Sequence, residues 1–432
     1  MNREPLTLVL AAYDAGAGKG GTERIVVDLA NAMAERGHRV HIAYNSPLRR
    51  PVRLQYATSA AVSPLPARFR GPAKRHLRRR LAEIDPDVYM IFYYNSMLPY
   101  MLGPALGLNI PVAMQEASNP ERVVANWGGP APALEREVFT SRACRIRVTQ
   151  EPYRDSFPEY IRRNVRAFPN AFARNERALS LDRESAARKR ILHVGGHKAN
   201  KDLFTLIAAF ERVRHDFPDW EVVECCPVNQ HSRPILECRK FIRQHHMEDR
   251  IQFLGLVEDM APVYESSHLH VISSRSEGLP NCVCEAMAQA LPSIGFADCT
   301  GTNLIIRDNE NGLLVSEGDR IGGLARALAR VMADADLRLE LGRQAWLESE
   351  RFSPARIFDT WEEFFREAAE YKKDPGRLEA EHAAAGPEAA QRATLLRGIM
   401  RRHARKSVGF FFRRLMYAAM DPLCEMLRSL RR

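Results

Sequence analysis

Leu6-Thr-Leu-Val-Leu-Ala-Ala12, then Gly16-Ala-Gly-Lys-Gly-Gly21, then a helical pattern with Ile25, Leu29, Ala32 and Met33 on one face: this opening decides the fold. A continuous apolar run is a strand buried on both faces. Gly37 stops the helix, and Val40-His-Ile-Ala-Tyr44 resumes as a strand. Strand, glycine turn, amphipathic helix and strand make the repeating unit of a parallel sheet with helices on both faces. Strands follow on the same pattern at 87–92, 110–114 and 145–149. The pattern then restarts at Arg190-Ile-Leu-His-Val-Gly-Gly196, with a helix carrying Leu203, Leu206, Ile207 and Phe210. Further strands are predicted at 221–225, 251–254, 268–272 and 292–296, with helices over 281–290 and 322–334. The predicted fold class is α/β, two Rossmann-like parallel-sheet domains facing a cleft, plus a C-terminal helical tail. Such sheets take ligands at the carboxyl ends of their strands.

The boundaries follow from composition. Residues 1–167 form the first domain and 168–189, polar and helix-poor at its start, the connection. Residues 190–352 form the second domain. A helix over 353–371, with Pro354 in its first turn, returns to the first. Residues 372–390, rich in Ala, Glu, Gly and Pro, read as a linker, and 391–432 as a basic amphipathic tail.

The 432 residues are 45% hydrophobic and 27% charged, which excludes a disordered or collagen-like chain. The net charge of +10 is unevenly placed. Residues 391–432 hold 11 Lys/Arg against 2 Asp/Glu, so the other residues carry 52 basic and 51 acidic groups. A near-neutral body argues against nucleic acid as a partner. No run approaches the ~20 apolar residues that span a bilayer. Leu6–Ala12 has no positive region before it and no cleavage site after it, so it reads as a first strand. Eight cysteines without C-x-x-C spacing, and no secretory signal, predict reduced thiols and a cytoplasmic protein.

The glycine loops carry chemistry. Gly18-Lys19 suggests a P-loop, but Tyr13 and Gly20 stand where that motif needs Gly and Ser/Thr. What remains is a glycine turn, with Gly20 and Gly21, that lets a ligand approach the backbone, and a helix N-terminus behind it. A ligand-free strand–helix turn would look the same. Val194-Gly-Gly-His-Lys-Ala-Asn-Lys201 is the equivalent loop of the second half. Gly195, Gly196, Lys198 and Lys201 there are candidate diphosphate contacts, though loop lysines are more often merely solvated.

The richest stretch is Ser273-Ser-Arg-Ser-Glu-Gly-Leu-Pro-Asn-Cys-Val-Cys-Glu-Ala-Met-Ala-Gln-Ala-Leu-Pro292. A strand ends, a polar loop carries Glu277 and Gly278, and a helix begins after Pro280 with Glu285 inside it. Backbone N–H groups at Gly278, Leu279 and Asn281 would point into one crevice. Carboxylates accept from sugar and ribose hydroxyls, while amides and Lys201 hold phosphates. Alone, Glu277 would be a helix cap and Glu285 a surface residue.

This stretch resembles the E-x7-E signature of the family-4 retaining glycosyltransferases, which have the GT-B fold. The resemblance extends over about residues 5–370. It is carried further by Gly20-Gly-Thr-Glu23, Pro169-Asn170, Val194-Gly195 with Lys201, Phe253-Leu-Gly255 and Asn311-Gly-Leu-Leu-Val315. It implies that Glu285 binds the donor ribose, that Glu277 contacts the donor sugar and that Lys201 neutralises the diphosphate. The substrate would be a nucleotide sugar, with no bound metal and no other cofactor. Stabilising charge on the leaving diphosphate would be the main catalytic task. The acceptor would be a glycan or lipid-linked glycan in polysaccharide or lipopolysaccharide biosynthesis. Four slots depart from the family pattern. Gly196 stands for the usual Arg, with Lys198 or His197 as possible substitutes. Ala290 stands for Gly, Leu304 for a common Glu, and Ala117 for a common His, leaving Glu116 or Asn119 on the acceptor side. Two other readings stay open: another GT-B activity such as a nucleotide-sugar epimerase, and a non-catalytic nucleotide-sugar- or membrane-binding protein, which the Gly196, Ala117 and Leu304 departures favour.

His268-Leu-His270 with Cys282-Val-Cys284 has the residue types of a zinc site, but one pair lies in a strand and the other opens a helix, so no metal is predicted. His38, after Gly37, reads as structural. Seven Lys/Arg within 68–80 read as a solvated face or as a contact for an anionic acceptor or membrane. In the tail, Val408, Phe411, Phe412, Leu415, Met416, Ala419 and Leu423 recur at helical spacing among arginines. That pattern suits a helix lying on an anionic membrane surface through residues 391–432, placing the protein peripherally on the cytoplasmic face. Docking on its own fold or on a partner protein is the other reading.

Overall fold

A computed structural model describes residues 4–384 except 14, 16–20, 47–51, 55, 68, 70–73, 93–97, 127–131, 197, 227–231 and 317. Gly20, His197, residues 68 and 70–73 of the basic run and the whole tail 391–432 therefore lie outside the described residues. The chain divides into two compact units. One runs to Pro169 and takes up the chain again from Phe358, and the other is Asn170–Ile357.

The first unit is built on seven parallel strands: β1 (Thr7–Ala11), β2 (Arg39–Asn45), β3 (Val62–Ala67), β4 (Val88–Ile91), β5 (Val112–Glu116), β6 (Arg145–Val148) and β7 (Val165–Ala167). Their order is β3-β2-β1-β4-β5-β6-β7. The second unit has β8 (Lys189–Val194), β9 (Trp220–Cys225), β10 (Ile251–Gly255), β11 (Leu269–Val271), β12 (Ser293–Phe296) and β13 (Gly312–Val315). They too are all parallel, in the order β10-β9-β8-β11-β12-β13. Both sheets are doubly wound, with the order reversing between β1 and β4 and between β8 and β11. This is the GT-B pair of Rossmann-like sheets.

Fully apolar runs became fully buried strands: every residue of β1, β4 and β12 is buried. Three strands escape a reading by apolar runs. β3 carries Pro64 and Pro66, tolerated because it is an edge strand. β7 is three residues long. β13 is short and follows a turn. The helix Pro354–Lys373 supplies the first unit with Trp361, Phe364 and Phe365, all buried. The Trp361 ring meets Phe168 edge-on at 4.9 Å and Phe92 at 5.8 Å. The buried Arg147 guanidinium lies 5.3 Å from the Trp361 ring and donates to Gln115 Oε1 at 2.7 Å.

The expected linker 372–390 needs correction. Its middle folds as the helix Arg377–Ala384, burying Leu378 and His382. The His382 ring meets Tyr160 edge-on at 5.1 Å. Tyr371 hydroxyl donates to both oxygens of Glu381, at 2.9 and 2.8 Å, tying this helix to the one before it. An Ala- and Glu-rich segment is a good helix former, so apolar contacts from two residues suffice to seat it.

Candidate active site

The site forms where the second sheet reverses. β8 and β11 are neighbours, with Leu269 opposite Ile191 and His270 opposite Leu192. The loops that leave their carboxyl ends therefore start side by side. After β8 the chain passes Gly195 and Gly196 into a 3-10 turn, Ala199–Lys201. After β11 it passes Ser273 and Ser274 to Glu277, and then to the helix Asn281–Ala288. The two loops are sewn together. Arg275 N–H donates to Asn200 O at 2.8 Å, and Ser273 Oγ to Lys201 O at 2.9 Å.

The outcome is a direct ion pair. Lys201 Nζ donates to Glu277 Oε1 at 2.6 Å, with side chains 26% and 12% exposed. Burial pulls the Lys201 ammonium down, but the Glu277 carboxylate beside it holds it above its ordinary value. It stays cationic at any physiological pH.

The loop bearing Glu277 is held from behind. Glu277 N–H donates to Thr300 O at 3.0 Å. Gly301 has φ +94, and a Cβ there would stand 2.4 Å from Glu277 O and 2.7 Å from Gly278 O. Only glycine permits that approach. Leu279 is 8% exposed and packs with Ile272, Val283, Met287 and Ile306, so its side chain serves the core. Asn281 Oδ1 accepts from Asn170 Nδ2 at 2.9 Å.

Glu285 lies one turn further along the helix. Tyr264 hydroxyl donates to its Oε2 at 2.6 Å. Tyr264 is buried, and burial together with Glu285 holds its phenol protonated. Tyr264 thus fixes one oxygen of Glu285. No sequence spacing singles out this tyrosine. Glu224 was missed too. It faces His193 across β8 and β9, is fully buried, and burial pushes its carboxyl up to about 8.

Other predicted residues fall differently. Lys198 is exposed, and its carbonyl accepts from Lys201 N at 2.9 Å. A Cβ at Gly196 would meet nothing within 4 Å, whereas one at Gly195 would press on His193 Cε1 at 3.0 Å. Gly21 begins the helix Gly21–Glu35 and is exposed. Ala290, in the family's glycine slot, has φ +56, so this chain accepts a strained alanine there.

In the first unit the acceptor-side expectation divides. Glu116 is fully buried, and both its oxygens accept from Arg136, Oε2 from Nε at 2.9 Å and Oε1 from Nη2 at 2.7 Å. Both carboxylate oxygens of Glu116 are thus engaged by Arg136 inside the core. Asn119 is buried, and its Oδ1 accepts from Glu121 N–H at 2.9 Å at the start of the helix Pro120–Asn126.

The zinc-like residues are also placed. His270 Nδ1 is 3.0 Å from Ser293 Oγ, inside the sheet. Cys282 and Cys284 sit in the helix Asn281–Ala288 with their thiols pushed up by burial, Cys282 to about 12. His38 Nδ1 accepts from Leu6 N–H at 3.0 Å.

Two family models match the chain, one described as Glycosyltransferase Family 4 over residues 19–145, the other as Glycosyl transferases group 1 over residues 188–334. The chain belongs to the family-4-like GT-B glycosyltransferases. Relatives are similar over different spans. A lipopolysaccharide core biosynthesis glycosyltransferase, LpsE of Rhizobium meliloti, is 27% identical over 345 residues, 75% of this chain and 89% of its own. An exopolysaccharide phosphotransferase of Streptomyces coelicolor is 27% identical over 309 residues, and this glycosyltransferase spans only 31% of its length against 70% of its own. Among solved structures, HepE of Anabaena, in complex with UDP-glucose, has the same fold, with a TM-score of 0.67 at 14% identity over 83% of this chain and 98% of that one. Among the described residues of this glycosyltransferase, no helix is long and apolar enough to cross a membrane.

Proposed function

We propose that this glycosyltransferase moves a sugar from a nucleotide-sugar donor to a hydroxyl of a glycan or lipid-linked glycan, with retention of configuration, in polysaccharide or lipopolysaccharide assembly. The observation that carries the reading is the Lys201–Glu277 pair of 2.6 Å at the strand-order reversal, beside the N-terminus of the helix bearing Glu285. Names among the relatives, lipopolysaccharide core biosynthesis and a complex with UDP-glucose, support the substrate classes.

In this reading Lys201 and the backbone amides of Gly278, Leu279 and Asn281 take the donor diphosphate, with Gly195, Gly196 and Lys198 on its other side. Glu285, held by Tyr264, accepts from the ribose hydroxyls. Glu277 contacts the donor sugar. Asn119 serves the acceptor. The bond between the anomeric carbon and the β-phosphate oxygen breaks with its electron pair going to the phosphate. The acceptor hydroxyl oxygen bonds to the anomeric carbon on the same face, and its proton passes to that phosphate oxygen. Lys201 stabilises the charge as it develops, worth about 1.5–3 kcal/mol for a shielded charge-assisted hydrogen bond. The tail 391–432 would hold the enzyme to an anionic membrane surface at the cytoplasmic face.

Release of free nucleotide from UDP-glucose, UDP-galactose, UDP-N-acetylglucosamine and GDP-mannose, with membrane lipid extract as acceptor, tests the reading. One donor should turn over, and the product's anomeric configuration should match the donor's. Tight binding of a donor with no turnover would overturn it. Glu285→Ala should weaken binding of that donor about 10- to 150-fold, the loss of one hydrogen bond to a carboxylate.

A further inference from the structure

Arg320 opens the helix Arg320–Ala333. The chain places it there with care. Asp319 caps the helix by accepting from Gly322 N–H at 2.9 Å, and a Cβ at Gly322 would stand 2.2 Å from the Asp319 carboxylate. The Arg320 guanidinium then lies over the Phe296 ring, 3.6 Å from its centroid, at the carboxyl end of β12. Its side chain is only 12% exposed.

From that seat it reaches three loops. Nη2 donates to Ser273 O at 3.0 Å and to Ser274 O at 3.3 Å, the backbone that leads to Glu277. Nη1 donates to Asp298 Oδ1 at 2.7 Å, on the loop whose Thr300 carbonyl holds Glu277 N–H. Nε stands 3.9 Å from Asp202 Oδ2, the residue after Lys201. Asp202 has a left-handed φ of +49 and also pairs with Arg275 Nη2 at 2.8 Å. One planar cation thus touches the segments that carry both members of the Lys201–Glu277 pair. A guanidinium presents its donors in a fixed fork, which an ammonium cannot imitate.

We propose that Arg320 is a positioning residue for sugar transfer, holding the Ser273–Ser274 and Lys201–Asp202 backbones at the spacing that aims Lys201 and Glu277 at the donor. The proposal rests on the donor-site reading above. Misplacing reacting groups by about 1 Å can cost about 100-fold in rate. An arginine that only stabilised the fold would lower the melting temperature and leave the folded enzyme's kinetics alone.

Two readouts on the full chain test it. The first needs no ligand: amide hydrogen exchange at Arg275 and Glu277, whose N–H groups bond to Asn200 O and Thr300 O. Arg320→Ala should speed exchange at both at least tenfold, with amides of the first unit unchanged. The second is turnover of whichever of the four nucleotide sugars the wild type uses fastest, read below the melting temperature. Arg320→Ala should lower kcat at least tenfold and change KM less than threefold. Added guanidinium ion should restore part of the loss, and Arg320→Lys, the variant to use if the alanine form fails to fold, should stay impaired. An active wild type with exchange and kcat unchanged in the variants would overturn the positioning role and leave the transferase reading standing. A wild type that turns over no donor, with exchange accelerated in the variants, would overturn the transferase reading and leave the loop-holding role standing.

Discussion

Replacing Glu116 by Gln decides between a reactive and a structural carboxylate. The substitution keeps shape and removes one charge. Glu116 has no exposed surface, and its partner Arg136 has a side chain 6% exposed. Arg136 also donates to Ser156, at 2.8 Å to both O and Oγ, and lies 4.0 Å from the Phe157 ring centroid. It cannot swing out to water without breaking those contacts. Removing one member of such a buried pair costs about 3–5 kcal/mol, because the other charge is stranded. In a unit of this size each kcal/mol lowers a melting temperature by about 2–4 °C, so the first unit should melt roughly 6–20 °C earlier. Calorimetry of the intact chain, following the first unit's transition separately, measures it. Glu116→Leu with Arg136→Met should recover most of the loss, since an apolar pair of similar volume is about neutral. The reasoning is refuted if Glu116→Gln melts within about 1 kcal/mol of wild type, the scale of an ordinary surface change, while acceptor turnover collapses.

Gly196→Arg should fit, because a Cβ there meets nothing within 4 Å, and should raise donor kcat/KM about tenfold by adding a diphosphate contact; no gain would mean that this loop faces elsewhere. Gly301→Ala should destabilise the second unit by more than about 2 kcal/mol, the left-handed backbone and the collision with Glu277 O both contributing, with activity lost alongside, as a melt and an assay together would show. Low pH should loosen the helix Pro354–Lys373: burial opposes ionisation of Glu367, but hydrogen bonds from Arg166 and Arg145 prevail and hold its folded pKa below the ordinary value. A lowered folded value means the stabilisation is complete above the unfolded pKa of about 4.3 and fades as pH falls through the folded one, so wild-type and Glu367→Gln melting curves should differ at neutral pH and converge only once the pH has fallen below the lowered folded pKa.

Much of the candidate site was legible because its parts are local. A buried strand, a glycine turn and a lysine read off as one segment, and so do Glu277, Pro280 and Glu285. The meeting of the two segments depends on β8 lying next to β11, which parallel doubly wound topology supplies. What stayed hidden is non-local. Arg136 lies twenty residues from Glu116 with no shared periodicity, Tyr264 precedes Glu285 by a strand and a loop, and Arg320 at a helix start looks like a solvated charge. Arg145 and Arg147 mark a strand whose polar residues are buried, because the helix Pro354–Lys373 brings Glu367 and Tyr371 to one and Trp361 to the other. The short helix Arg377–Ala384 was obscured by composition that suits helix and linker alike.

The divided first unit bears on synthesis at the ribosome. Its sheet is encoded early, yet Trp361, Phe364 and Phe365 come after the whole of Asn170–Ile357. The second unit is one uninterrupted stretch and has all its own strands as soon as it emerges. The later-encoded unit should therefore reach its native state first, while the earlier one waits with Phe168 and Phe92 uncovered until the helix arrives. A ribosome stalled before residue 358 would display a finished second unit tethered to an unfinished first one, and chaperones should engage the N-terminal half for longer.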